Sequence, residues 1–242
     1  MKAETKPTNA PFLLDLEAHE IAVPASLSLT DFQSQLRERL PDRRRAIFDV
    51  LLSDVMSGPP VSFLEIGVFQ ASNIKHVKEK KLAVSEFTGV DDFGGSGESP
   101  YIGEGRYWKD RAAADEAYEK AKAIYEGYGE KLHRETSDEY FARMDPNRRY
   151  DIIFVDGNHR YRFALKDMTD YFERVRDGGI LLVDDYDNPD TPEVTRAAVE
   201  FIDRTLDRIE RIRFVRLPFV NTRKVVPTTL TVLAIFKRRT AA

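Results

Sequence analysis

The 242-residue chain carries 42% hydrophobic and 32% charged side chains, enough apolar material for a sizeable core. It has no cysteine, which excludes disulfide frameworks, thiolate zinc sites, iron–sulfur clusters and cysteine nucleophiles together. Thirty-seven basic against 41 acidic residues leave a formal charge of -4, without the electrostatic footprint of a nucleic-acid binder.

No apolar run approaches the roughly 18 residues of a membrane span. Residues 1–10 are polar and lack an apolar signal region. A cytoplasmic protein with no membrane or nucleic-acid partner is expected.

Residues 1–60 read as a helical appendage. Ser28 or Thr30 caps a helix over 31–40, and Ala46, Ile47, Val50, Leu51 and Val55 recur at helical spacing until Ser57-Gly58-Pro59-Pro60 stops them. This apolar pair of helices offers a surface for a homo-oligomer.

From residue 61 to 242 short apolar runs alternate with helical periods, the pattern of a mostly parallel sheet covered by helices. Strands are predicted over 61–66 and 86–90, with a helix over 71–80 between them and a weaker strand over 132–136. The runs YDIIFV (150–155) and ILLV (180–183) are continuous, as in central strands buried on both faces. Between them Tyr161, Leu165, Met168, Phe172 and Val175 keep helical spacing, and Asp177-Gly178-Gly179 reads as the turn back into the sheet. Thr191 is predicted to cap a helix whose first residue is Pro192. Runs 212–219 and 229–236 have no helical period between them and should form an antiparallel hairpin at the sheet edge. Residues 93–129 make too long a connection for an ordinary turn. Residues 109–128 among them are rich in Ala, Glu and Lys and read as a helix; the connection as a whole reads as a lid, a surface insertion or a dimer contact.

Chemistry gathers at strand ends. In FLEIGVFQAS (63–72) a strand ends in an acid, Glu65, and a glycine, Gly67, before a tight turn into a helix. Free helix-start amides and close backbone approach suit a polar or negatively charged group. Asp91, 24 residues after Gly67, ends the second strand in TGVDDF and is placed to accept ribose hydroxyls. Phe69 stands where a dinucleotide-binding loop needs its second glycine, which argues against a dehydrogenase.

Asp156 follows the fourth strand in FVDGNH, and Asp184 and Asp185 follow the fifth in VDDYD. One crossover helix brings both strand ends to the same sheet edge. Three carboxylates so close repel unless protonated or bridged by a cation, and Mg²⁺ is the expected ion; the alternative is a turn and an exposed or capping pair. His159, three residues on from Asp156, is a candidate general base or a helix-capping residue. No Ser/His/Asp arrangement or H-E-x-x-H pair supports a hydrolase.

Taken in order, FLEIGVFQAS, TGVDDF, YDIIFVDGNHRY and GGILLVDDY resemble the class I S-adenosylmethionine-dependent methyltransferases. Within them they resemble the metal-dependent small-molecule O-methyltransferases of macrocin and catechol type. The likeness covers roughly residues 61–239. It implies a Rossmann-like, doubly wound α/β fold with a mostly parallel seven-stranded sheet and a terminal hairpin. It places S-adenosylmethionine against Glu65, Gly67, Ser72, Asp91 and Asp156, a divalent metal on Asp156, Asp184 and Asp185, and His159 as the base.

Two positions depart from that pattern: Ala71 stands in place of a loop glycine, and Asn158 stands where many relatives carry an acid. The Asn-Pro-Pro-Tyr motif of amino-group methyltransferases is absent after the fourth strand, which disfavours nitrogen as acceptor; the resemblance implies methyl transfer to a hydroxyl of a small molecule. A cofactor-binding regulatory domain, or a metal-dependent relative of cephalosporin hydroxylase type, is the alternative.

Overall fold

The computed structural model describes residues 59–94, 102, 107–188, 190–220 and 228–240. The two helices expected in 1–60, and hence the appendage and its oligomer surface, lie outside the described residues.

Seven strands form one sheet: β1 (Val61–Ile66), β2 (Val84–Val90), β3 (Lys131–His133), β4 (Tyr150–Val155), β5 (Val175–Tyr186), β6 (Ile209–Val220) and β7 (Thr228–Arg238). Their order is β3-β2-β1-β4-β5-β7-β6. The first five run parallel, and β7 pairs antiparallel with both β5 and β6. This is the doubly wound, Rossmann-like arrangement, with the expected hairpin at one edge. Among the described residues no helix is long and apolar enough to cross a membrane.

Alternation along each strand feeds two cores. Val61 and Phe63 of β1 face α1 (Ser72–Glu79) and α2 (Arg111–Gly127), where Ile74, Val77, Ala114, Ala121 and Tyr125 close over them. Phe63 stacks on Phe87 of β2 with ring centroids 4.6 Å apart. Leu64 and Ile66 turn to the other face, toward α3 (Ser137–Arg143), α4 (Tyr161–Phe172) and α5 (Pro192–Thr205). Met168, Phe172, Ala198 and Phe201 line that side, and burial of each large apolar side chain contributes about 1.5–3 kcal/mol. Because both faces are covered, β4 and the ILLV stretch of β5 read as near-continuous apolar runs, while β1 also buries the polar Ser62 and Glu65.

Several local expectations change. The helix expected over 109–128 is present as α2, the crossover helix into β3, so only the segment before Arg111 is extra. β3 stops at His133, because Thr136 opens α3 through a capping box: its side chain accepts the Glu139 amide at 3.2 Å while the Glu139 carboxylate accepts the Thr136 amide at 2.9 Å. Asp177-Gly178-Gly179 lies within β5, where the register jumps from Tyr150↔Val175 to Ile152↔Ile180 and the intervening residues bulge. Pro192 does start α5, but Thr191 makes no side-chain cap; its carbonyl accepts the Val194 amide at 3.0 Å.

The chain leaves β1 toward β2 on one side and later returns to β4 on the other. The carboxyl ends of β1 and β4 therefore flank the crevice where an open sheet of this topology takes its ligands.

Candidate functional site

The turn from β1 into α1 is built by close approach. Gly67 has φ 89, and a side chain there would overlap the carbonyl oxygen of Asp156 at the exit of β4. Its amide donates to the Val90 carbonyl at 2.9 Å. Phe69 (φ 52) and Ala71 (φ 54) are both left-handed, at a cost of roughly 1–2 kcal/mol each. Ala71 therefore keeps the backbone that a glycine would adopt freely. Ser72 is the first residue of α1 and half-buried.

Asp91 holds this turn in place. Its Oδ2 accepts the amides of Val68 and Phe69 at 2.8 and 2.9 Å, and its Oδ1 accepts the Phe93 amide at 2.7 Å. Burial raises its carboxyl above the usual range, against the lowering effect of those three amides. The residue expected to take ribose hydroxyls is thus beside the loop, and it also organises it.

Glu65 lies beneath the loop, 1% exposed. Asn73 of α1 donates to it at 2.6 Å and the Tyr125 hydroxyl of α2 at 3.0 Å. Burial pushes its carboxyl up to about 8; the two hydrogen bonds oppose that shift, and the charges of Asp156 and Asp91 add to it. Tyr125 reaches Glu65 past Gly89, its register partner on β2, where any side chain would overlap the phenol. An isolated glycine inside a strand pattern signals such an approach. Nothing in the sequence points to Tyr125 or Asn73 as its partners.

Across β1, the ends of β4 and β5 bring together Asp156, His159 and Asp185. One ligand atom from each lies within 4.8 Å of the others. His159 Nε2 is 3.5 Å from Asp156 Oδ1 and 3.3 Å from Asp185 Oδ2. Asp185 is left-handed (φ 59), next to the register shift between Val183 and Tyr186 that turns the strand end out of the ladder.

Asp184 stands outside this group. It is buried, and its Oδ1 accepts the Asp185 amide at 2.9 Å. Asn188, not singled out in the sequence, donates to Asp185 Oδ1 at 2.9 Å. Asn158 Oδ1 accepts the Arg160 amide at 3.1 Å, so it shapes the approach to α4. Glu193 of α5 accepts the Tyr161 amide at 3.2 Å and serves the first turn of that helix.

Two carboxylates and one imidazole make a chemically coherent donor set for a divalent ion. The carboxylates suit Mg²⁺ or Mn²⁺, and the imidazole nitrogen favours a first-row transition ion over Mg²⁺, whose preferred shell is all oxygen.

Residues 64–186 match the family described as a methyltransferase domain. An uncharacterised protein of Acanthamoeba polyphaga mimivirus is 24% identical over 141 residues. That match spans 56% of this chain and 56% of the viral protein, little more than half of its length. Among solved structures, an rRNA methylase from Streptococcus thermophilus superposes with a TM-score of 0.50 at 11% identity, covering 82% of this chain and 98% of that one. The N-methyltransferase NodS from Bradyrhizobium japonicum gives 0.51 at 13% identity, over 81% and 97%. Its complex with S-adenosyl-L-homocysteine gives 0.50 at 14% identity, over 84% and 90%. At these identities the likeness is one of fold.

Proposed function

Since the chain belongs to the methyltransferase domain family, we propose that it moves a methyl group from S-adenosylmethionine to a hydroxyl of a small molecule, with a divalent ion held beside the acceptor. The observation that carries this reading is the meeting of Asp156, His159 and Asp185 one strand away from the Gly67–Asp91 loop. The S-adenosyl-L-homocysteine complex of NodS, on the same fold, supports the choice of cofactor.

On this reading Asp91 accepts from the ribose hydroxyls with the lone pairs its amide partners leave. Gly67 lets the cofactor approach the backbone, and Ser72 and Asp156 border its methionine end. Glu65 supports the loop from below through Asn73. Bound at Asp156, His159 and Asp185, a divalent ion supplies positive charge that offsets the carboxylates and acidifies a neighbouring hydroxyl. The imidazole is then a ligand, and Asp184 fixes Asp185 from behind. Mn²⁺ fits this donor set better than Mg²⁺. Orientation of acceptor oxygen against the methyl group is the main catalytic resource of such a site, with effects on the order of 7–11 kcal/mol.

A second reading rests on the nitrogen among the donors: the same set suits metal-dependent chemistry other than methyl transfer. One experiment separates the two. Protein loaded with Mn²⁺ is incubated with S-adenosylmethionine carrying a labelled methyl group and a panel of phenols, sugars and hydroxylated metabolites. Label transferred to a hydroxyl, and lost with a chelator, supports the proposal. Cofactor binding without transfer to any of these acceptors, together with turnover of another kind, favours the second reading.

A further inference from the structure

Asn188 is held at both ends of its side chain. Its Oδ1 accepts the Asp190 amide at 3.0 Å, closing a turn two residues on. A backbone N–H can only donate, so this contact settles which end of the side-chain amide is the oxygen. The nitrogen therefore lies at the other end, and it donates to Asp185 Oδ1 at 2.9 Å. The backbone is tied as well: the Asn188 carbonyl accepts the Thr191 amide at 3.0 Å, and the Asn188 amide donates to the Asp185 carbonyl at 3.4 Å. Half-buried and anchored in this way, Asn188 is a fixed donor that the Asp185 carboxylate must conform to.

The two oxygens of Asp185 consequently face different partners. Oδ1 meets Asn188, while Oδ2 lies 3.3 Å from His159 Nε2, on the side where Asp156 completes the donor group. A carboxylate can offer an ion one oxygen or both, and an N–H on one of them weighs against the second mode. Ions differ in which mode they want. Ca²⁺ readily takes both oxygens of one carboxylate, in flexible shells of roughly six to eight ligands. The more regular octahedral shell of Mn²⁺ has less room for a second oxygen from the same group.

We infer that Asn188 is a positioning residue for the proposed metal: by holding Oδ1 it presents Asp185 through Oδ2 alone, and so favours Mn²⁺ over Ca²⁺. The inference rests on the metal reading of the preceding subsection. It gives Asn188 the part that a hydrogen bond behind a metal-bound carboxylate plays in general, which is to fix the direction of the ligand and tune its affinity.

Binding of Mn²⁺ to the whole chain is measured by electron paramagnetic resonance, and binding of Ca²⁺ by its displacement of Mn²⁺. Asn188→Ala is expected to weaken Mn²⁺ by about tenfold or more while Ca²⁺ changes little, so the ratio of the two affinities falls by about tenfold. Asn188→Ser guards against a variant that fails to fold. Its hydroxyl can still accept the Asp190 amide but is too short to reach Asp185, and the same fall is expected. Thr195→Val is the control. Thr195 Oγ1 accepts the Asp187 amide at 2.8 Å, so this change loosens the same loop through its anchor on α5, and the ratio is expected to hold. A wild-type ratio in both Asn188 variants, or an equal fall in Thr195→Val, overturns the inference and leaves the metal reading standing. If the wild-type chain takes up no Mn²⁺, the metal reading falls, and the role of Asn188 with it.

Discussion

The hydroxyl of Tyr125 donates to the carboxyl of Glu65 at 3.0 Å, passing β2 at the one residue whose side chain does not block it, Gly89. The helix after the extra segment is thereby tied to the strand beneath the β1–α1 turn. Tyr125 is also buried against Phe87, 6.0 Å away edge to face, so the phenol has little freedom to yield.

Gly89→Ala is expected to destabilise the protein by about 1–3 kcal/mol through overpacking. Tyr125→Phe, which leaves a buried carboxyl short of one partner, should cost a similar amount. Both changes break the same contact, so the double variant should lose less than the sum. Urea denaturation of the four proteins measures this, and strict additivity would show that the two residues act independently.

The pH dependence follows from Glu65. Its carboxyl is pushed up to about 8 in the folded protein, from an ordinary value of 4.5. The folded state therefore holds a proton that the unfolded chain has released, and stability falls as pH rises from about 4.5 through 8. Asp167, pushed up to about 7 by burial, contributes in the same sense. Glu65→Gln keeps hydrogen-bonding capacity without the titration. Its melting temperature in ligand-free protein is expected to match wild type near pH 5 and exceed it near pH 8.5. Parallel curves for the two proteins would contradict this assignment.

Asp91→Ala removes the acceptor of three backbone amides as well as the proposed ribose contact. Each buried donor left without a partner costs about 1–3 kcal/mol, so this variant is expected to melt early and to be a poor probe of binding. Asp91→Asn retains an acceptor oxygen and should fold. Calorimetry is expected to show S-adenosylhomocysteine weakened by about tenfold or more in that variant, and unchanged affinity would remove Asp91 from the nucleoside site.

His159 distinguishes a ligand from a base. As a ligand, its replacement by alanine weakens Mn²⁺ by at least about tenfold in a direct titration. As a base it leaves metal affinity intact and lowers only turnover, by about 10² to 10⁴. The grouping with Asp156 and Asp185 predicts the first result.

Residue pattern made the framework legible because two-sided burial writes itself as continuous runs. YDIIFV and ILLV could be little else than central strands, and parallel order then carried Asp156 and Asp185 to one edge. The same logic stops at side-chain direction. Asp184 and Asp185 are neighbours in sequence, yet only Asp185 joins the group, because the left-handed turn at the strand end separates their paths. The register shift there falls in the antiparallel pairing of β5 with β7, which periodicity does not encode. The capping box at Thr136 and Glu139 is a different matter: its signal stands in the sequence, at the end of the weak apolar run over 132–136.

The overlap that a side chain at Gly67 would make with the Asp156 carbonyl restricts the sequences this fold admits. At residues 68 and 69 Asp91 holds the backbone amides, while the Val68 side chain is buried in the core and Phe69 is left-handed. Position 67 has no latitude: any larger residue must displace the peptide between Asp156 and Gly157, and with it the Asp156 carboxylate, 3.5 Å from His159 Nε2. Any redesign of this turn therefore reaches the donor group the moment position 67 changes.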